Sequence, residues 1–180
     1  MKIGIIVVDM INDFVTGELA ISRAKDIIPN IRRLLDLARA KGIPILYACD
    51  SHSRDDPEVR LWGPHAIAGS RGAEVVEELE PREGDLLVKK TRYSPFFGTD
   101  LDRLIRELGI TELVLVGVST DICILHTAAD AFYRGYGIIV PSDCVGAFTR
   151  EDHERALEYM KRVYGARVVG SDELIKSLGG

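Results

Sequence analysis

Residues 113–123 read LVLVGVSTDIC, in which an apolar run gives way to the start of a helical pattern. The run from Leu113 to Val116 is typical of a strand buried on both faces of a sheet, and helical spacing of apolar side chains begins at Asp121. Cys123 is therefore expected where a strand passes into a helix. Free amides and the positive end of the helix dipole stabilise a thiolate there, so Cys123 is a candidate nucleophile. Plain core packing is the alternative, because free cysteines are often buried among apolar neighbours.

Strands and helices alternate along the whole chain. Apolar runs predict strands at 3–8, 43–48, 85–89, 112–116, 137–140 and 166–169. Helical spacing predicts helices at 26–39, 73–79, 99–108, 121–134, 151–164 and 171–178. This alternation predicts a doubly wound α/β fold, a Rossmann-like three-layer sandwich with a mainly parallel six-stranded sheet flanked by helices on both faces. With 46% hydrophobic residues, 1–180 is expected to form a single domain.

Composition restricts the class of partner. The formal net charge of −5, without a basic cluster, argues against a nucleic-acid surface. The apolar residues 1–8 run directly into Asp9, which makes the stretch too short for a signal peptide or a membrane span. Three cysteines are an odd and sparse set, typical of reduced thiols rather than a disulfide framework. We expect a cytoplasmic protein that acts on small molecules, with no nucleic-acid or membrane partner.

Polar side chains follow four of the predicted strands. Asp9 ends the first strand, Asp50 and His52 follow the second, Lys90 follows the third and Cys123 follows the fourth. The carboxyl ends of parallel strands share one edge of a sheet, so these groups are expected to meet there. A carboxylate that takes the thiol proton and a cation that favours the thiolate suit nucleophilic catalysis. Alone, Asp9 could be a turn cap and Lys90 a solvated lysine.

Three separated motifs carry a family resemblance. They are VVDM at 7–10 with DF at 13–14, KTRYSPF at 90–96 with GTDL at 98–101, and GVSTDIC at 117–123 with HTA at 126–128. Through them the chain resembles the isochorismatase-like cysteine hydrolases over essentially its full length, in the branch of nicotinamidases and N-carbamoylsarcosine amidases. The resemblance implies a catalytic triad of Asp9, Lys90 and Cys123. It also implies a cis peptide bond between Val118 and Ser119, and an oxyanion hole formed by the amides of Ser119 and Cys123.

The polar loop after the second strand offers a set of metal ligands. Two imidazoles and two carboxylates, from Asp50, His52, Glu58 and His65, suit Zn²⁺ or another transition metal, although histidines in a polar loop are often only solvated. The loop looks like that of nicotinamidases, in which a metal holds the pyridine nitrogen. The resemblance therefore implies a divalent metal, Zn²⁺ or in its place Mn²⁺ or Fe, and no organic cofactor.

Aromatic residues near these motifs are candidate substrate contacts. Phe14 and Trp62 match positions that flank the substrate ring in nicotinamidases, although either could be core or lid packing, and Tyr93 is a further candidate. Two positions depart from the family pattern, with Ile11 where many members have glutamine and Ala66 where many nicotinamidases have cysteine. The resemblance implies an amidohydrolase that converts nicotinamide to nicotinate and ammonia through a thioester, in an enzyme that forms homo-oligomers.

Three other functions stay open. The loop at 55–63 also looks like that of N-carbamoylsarcosine amidases, which share the triad but act on a small ureido acid. Isochorismatases hydrolyse a vinyl ether and usually carry aspartate where this chain has Cys123. A non-catalytic metal-binding or ligand-binding module is the third alternative, and in it the thiol would be passive.

Overall fold

The computed structural model describes residues 2–179. Seven strands form one sheet, and all of its strand pairs are parallel. The strands are β1 Ile3–Val8, β2 Ile45–Asp50, β3 Leu86–Lys90, β4 Glu112–Val118, β5 Gly137–Pro141, β6 Val145–Gly146 and β7 Arg167–Val169. Their order is β3-β2-β1-β4-β5-β7, and the two-residue β6 pairs with the end of β4. The predicted fold class is confirmed, with one short strand more than expected.

Helices cover both faces of the sheet. They are α1 Asn12–Val15, α2 Ala24–Ala40, α3 Pro57–Trp62, α4 Leu101–Glu107, α5 Leu125–Tyr133, α6 Arg150–Tyr164 and α7 Ser171–Gly179. Alternate residues of β1 enter opposite cores, because side chains alternate across a strand. Ile5 and Val7 join the core under α2 and α7, whereas Ile6 and Val8 join the core under α4, α5 and α6. Within residues 2–179, no helix combines the length and the apolar character needed to cross a bilayer.

The register of the central strands fixes the edge at which the site forms. Val8 at the end of β1 pairs with Ala48 on one side and Gly117 on the other. Gly117 has a φ of +114°, and a Cβ there would lie 2.0 Å from the carbonyl oxygen of Val8. Only glycine permits this approach. In the next pair along, Asp50 of β2 lies opposite Lys90 of β3.

The predicted helix at 73–79 is wrong. Two 3₁₀ turns, Arg71–Ala73 and Glu77–Leu79, stand in its place. Between them Val75 forms an antiparallel bridge with Ile11, and the Val76 amide donates to the Met10 carbonyl at 3.0 Å. This pairing with the chain after β1 takes the backbone groups that a helix would have used.

Candidate active site

Four of the predicted site residues lie at the carboxyl edge of the sheet. Asp9 directly follows β1, and Asp50 and Lys90 are the last residues of β2 and β3. Cys123 lies in a single π-helical turn, Thr120–Ile124, that joins β4 to α5. All four side chains are buried. The fold thus brings together a thiol, an ammonium and two carboxylates.

Lys90 lies at the centre of this group. Its Nζ is 2.7 Å from Asp9 Oδ2 and 3.7 Å from Cys123 Sγ. The same ammonium donates to Asp50 Oδ1, and the Asp50 amide donates to Asp9 Oδ1 at 2.8 Å. Asp9 Oδ2 is ion-paired with this ammonium and accepts from no other donor within residues 2–179. One Asp9 oxygen lies within 4.8 Å of the sulfur, so a carboxylate with spare accepting capacity stands next to the thiol.

Burial keeps the proton on the sulfur of Cys123. Burial raises the pKa of the Cys123 thiol well above its ordinary value, against the opposing effect of Lys90, and the carboxylates of Asp9 and Asp50 add to the rise. Burial and then Asp50 raise the pKa of Asp9 to about 6. Burial opposes the charge of Lys90, but the two carboxylates hold its pKa well above the ordinary value. The resting group is a protonated thiol beside a base, and not the preformed thiolate expected from the helix terminus.

The turn before the thiol leaves a backbone amide free. The peptide bond between Val118 and Ser119 is cis, as the family resemblance implies. The Ser119 carbonyl accepts hydrogen bonds from the amides of Ile122 and Ile124, each at 3.1 Å. The amide of Ser119 itself donates to no acceptor in the described part of the chain. Ser119 and Cys123 line the same pocket, so a free donor and the sulfur share one space.

The four predicted metal ligands lie close together, next to the group around Lys90. Asp50, His52, Glu58 and His65 are all buried and offer one donor atom each within 4.8 Å of one another. His52 Nε2 lies 3.4 Å from Asp50 Oδ2 and 3.7 Å from Glu58 Oε2. Neither ring nitrogen of His52 nor Glu58 Oε1 has a hydrogen-bond partner in residues 2–179. Buried polar atoms without partners are costly, and a divalent cation bound by this donor set would satisfy them.

Backbone contacts orient the two imidazoles. His65 Nδ1 lies 2.7 Å from the Gly63 carbonyl, which directs Nε2 toward the cluster. The His52 amide donates to the Ala66 carbonyl at 2.9 Å. Ala66 has a φ of +44°, and its amide donates to Asp13 Oδ2 at 2.7 Å. Asp13, whose role the sequence left open, therefore holds the backbone that places both histidines.

The unpredicted helix α3 presents Glu58. Its N-terminal cap is Asp56, whose Oδ1 accepts from the Glu58 amide at 2.9 Å. Asp56 Oδ1 also lies 3.5 Å from His52 Nδ1, and Oδ2 lies 3.0 Å from Arg92 Nη1. The sequence Asp56-Pro57-Glu58 is a helix-start signal that could have predicted this helix.

A mainly apolar pocket opens above the thiol. The three predicted substrate contacts, Phe14, Trp62 and Tyr93, all line it with Cys123. Trp62 Nε1 donates to the Tyr93 hydroxyl at 3.0 Å. The pocket lining also includes Leu19, Ile21, Asp50, Glu58, His65, Val118, Ser119, Ile122 and Phe148. No lysine or arginine belongs to it among the residues described.

Sequence reasoning missed one aromatic wall of the pocket. Phe148 lies two residues beyond β6, and its ring is nearly parallel to that of Trp62, at 8° with centroids 6.3 Å apart. A two-residue strand has no periodicity to detect, so nothing in the sequence marked Phe148 as following a strand end.

Comparison with known proteins identifies the family of this fold and site. The isochorismatase domain model matches residues 4–173. The chain belongs to the isochorismatase family. This membership confirms the predicted superfamily and the predicted class of enzyme, a hydrolase, and the amidases among the relatives support amide carbon–nitrogen bonds as its target.

Three solved structures illustrate the range within the isochorismatase family. N-carbamoylsarcosine amidase from Thermoplasma acidophilum is 45% identical, with a TM-score of 0.90 over 96% of this chain and 98% of the other. Nicotinamidase PncA from Bacillus subtilis is 40% identical, with a TM-score of 0.90 over 94% and 99% of the two chains. Pyrazinamidase of Pyrococcus horikoshii in complex with zinc is 31% identical, with a TM-score of 0.88 over 94% and 99%.

Proposed function

We propose that this chain is a cysteine-dependent amidohydrolase that converts nicotinamide to nicotinate and ammonia. The observation that carries the proposal is the pocket above Cys123, which combines aromatic walls with a lining free of lysine and arginine within residues 2–179. A flat, neutral amide gains from aromatic contact and needs no cation to balance it. A ureido acid carries a carboxylate, and burying that charge without a partner is costly.

The first half of the reaction uses Cys123 as nucleophile and Asp9 as base. Asp9, one oxygen of which lies within 4.8 Å of Cys123 Sγ, takes the thiol proton as the sulfur attacks the amide carbon. Lys90 balances the negative charge of Asp9 before the proton transfer and the charge that builds on the sulfur as its proton leaves. The amides of Ser119 and Cys123 receive the developing oxyanion. Asp9 then returns its proton to the leaving nitrogen, the carbon–nitrogen bond breaks, and ammonia leaves a thioester on Cys123.

In the second half of the reaction, water replaces the thiol as the nucleophile. Asp9 removes a proton from water as its oxygen attacks the thioester carbon, and the same amides hold the second oxyanion. The carbon–sulfur bond breaks, the thiol of Cys123 regains its proton from Asp9, and the product leaves as nicotinic acid, which loses its carboxylic proton to solvent to give nicotinate. Each proton taken by Asp9 is returned within the same half-reaction, so the site ends as it began.

Asp50, His52, Glu58 and His65 would hold a divalent metal beside this pocket, and the zinc-bound pyrazinamidase relative supports Zn²⁺ for that role. A metal bound there supplies a Lewis acid that can coordinate a ring nitrogen of the substrate. Asp50 belongs both to the metal-ligand set and to the catalytic group, because it also pairs with Lys90.

Hydrolysis of N-carbamoylsarcosine or a related ureido acid is the second candidate. The 45% identity with an N-carbamoylsarcosine amidase favours it. In this pocket the substrate carboxylate would depend on the metal as its counter-charge. Ureido-acid turnover would then fall more steeply on metal removal than turnover of a neutral amide.

Ammonia release from both substrates tests the proposal. We expect faster turnover of nicotinamide, and loss of turnover by a factor of about 10⁴ or more in Cys123→Ala. Cys144→Ala is the matched control, since it removes another fully buried thiol outside the site and should retain activity. Faster turnover of the ureido acid would replace the substrate proposed here. Full activity of Cys123→Ala would show that the thiol is not the nucleophile, and no ammonia release from either substrate by the zinc-loaded wild type would favour a binding module instead.

A further inference from the structure

Phe148 and Trp62 form a pair of nearly parallel rings at the mouth of the pocket. The planes differ by 8° and the centroids are 6.3 Å apart. Both side chains are 38% exposed, so each keeps uncovered aromatic surface. We infer that Phe148 is a specificity-determining residue, which with Trp62 selects substrates whose acyl group is a planar aromatic ring. This inference rests on the proposed amidohydrolase function and assigns the site's preference for an aromatic amide.

The backbone around Phe148 is fixed on both sides. Gly146 of β6 pairs with Val118 of β4, which places the following residues at the carboxyl edge where the thiol lies. The Ser22 hydroxyl donates to the Phe148 carbonyl at 3.3 Å. The next residue, Thr149, caps α6 by accepting from the Asp152 amide at 3.1 Å. These contacts hold the position of the backbone at Phe148 without using its ring.

Trp62 is held in a matching way. Its Nε1–H donates to the Tyr93 hydroxyl at 3.0 Å, which fixes the plane of the indole. Phe14, which the family resemblance also implies at the substrate ring, lines the same pocket, packs against His65 at an interplanar angle of 48° and is only 8% exposed. The parallel pair is therefore Trp62 with Phe148, while Phe14 supports the imidazole.

Parallel faces favour a flat ligand over an aliphatic one. A planar ring that stacks on Trp62 is also oriented for contact with Phe148, and offset stacking adds to simple burial of area. An aliphatic ureido acid gains from burial of its apolar surface but makes no stacking interaction with either ring. Loss of the Phe148 ring should therefore weaken the binding of aromatic amides selectively.

Steady-state kinetics of Phe148→Leu test this inference. We expect KM for nicotinamide to rise about threefold to tenfold, with kcat and all ureido-acid parameters within about twofold. Phe148→Tyr keeps the flat face and should restore the KM. Phe132→Leu, which removes a 47% exposed ring on α5, is the matched control and should change neither substrate. An unchanged KM in Phe148→Leu, or an equal rise for both substrates, would overturn the inference.

Fluorescence separates failure of this inference from failure of the proposed reaction. Trp62 is the single tryptophan of the chain, so its emission reports ring binding beside it. In Cys123→Ala, which cannot turn over, nicotinamide should quench Trp62, and adding Phe148→Leu should raise the Kd about threefold to tenfold. Quenching without turnover in the wild type would contradict the reaction but retain the inference. An unchanged Kd in the double variant would overturn the inference even if nicotinamide is hydrolysed.

Discussion

Asp9 is the residue at which catalysis and stability oppose each other. It has a φ of +53°, in the left-handed region, and its side chain is fully buried. Two carboxylates, Asp9 and Asp50, share the single ammonium of Lys90, so one negative charge is left over in a buried region. Burial and the charge of Asp50 accordingly raise the pKa of Asp9 to about 6.

Asp9→Asn should inactivate the enzyme and stabilise the fold. The pKa of Asp9 is about 6 in the folded state, against an ordinary value of 3.8, so the folded wild type holds the extra proton between these values. Protonation of Asp9 therefore contributes fully to the stability of the fold below about pH 4, and this contribution is lost as the pH rises through about 6. At pH 7 we expect the metal-free Asn variant to gain up to about 3 kcal/mol, measured by urea unfolding.

The pH dependence distinguishes this effect from a general change in packing. The difference between the variant and the wild type should vanish near pH 4 and grow to its full size above pH 6. A constant difference across this range would mean that the charge of Asp9 is not its cause.

At the scale of elements, the turn that carries the nucleophile is tied to α6. Thr120, which opens the turn, is fully buried, and its Oγ1 lies 2.9 Å from His153 Nδ1 in a hydrogen bond. Burial and the charge of Arg23 lower the pKa of His153, which favours the neutral imidazole. His153 does not line the pocket, so any effect on catalysis must act through the position of the turn.

His153→Leu should therefore lower kcat about tenfold or more and leave KM unchanged. His153→Asn, which offers a polar atom close to the position of Nδ1, should retain kcat within about threefold. Kinetics of both variants, with thermal melts to confirm folding, check this positioning role. Equal loss in the two variants would indicate that His153 matters only for packing.

The elements that sequence predicted well are those with strong periodicity. β1 and β4 are continuous apolar runs, and α6 has amphipathic spacing over 15 residues, so each was located within a few residues. Strand ends then indicated the residues of the site, since parallel topology gathers them at one edge. The family resemblance added the cis peptide bond at Val118 and the metal-ligand set, which no spacing rule supplies.

The elements that the sequence did not predict depend on tertiary pairing. Val75 extends because it bridges Ile11, and β6 exists because two residues meet the end of β4. Neither has a local signal long enough to detect, and Phe148 was missed with β6. The protonated state of Cys123 also needed the structure, because burial outweighs Lys90 only when the whole site is enclosed.

At the scale of the whole molecule, one surface bears on assembly. Exposed aromatic and aliphatic side chains gather on α5 and α6, at Phe132, Tyr133, Tyr159 and Val163. Uncovered apolar surface of this kind is common at interfaces between subunits. The predicted homo-oligomer stays a prediction, and this face is where a second subunit would be expected to pack.

The carboxyl edge of the sheet holds more buried carboxylates than ammonium groups. Asp9, Asp50 and Glu58 are buried together with one ammonium, from Lys90, so the edge carries excess negative charge when these groups are ionised. Burial and then Asp50 raise the pKa of Glu58 to about 7, which reflects the same imbalance. A divalent cation would offset this charge, and the unpartnered nitrogens of His52 would gain a ligand.

Zn²⁺ should therefore stabilise the chelator-treated protein. At a free concentration of one hundred times Kd the gain is about 2.7 kcal/mol, which raises the thermal midpoint by about 5–10 °C in a domain of this size. His52→Ala should abolish the shift and the retained zinc measured after dialysis. His126→Ala, which removes an imidazole outside the cluster, should keep both. Because binding is read from stability and metal content, an unshifted wild type without retained zinc would contradict the metal site whatever the activity proves to be.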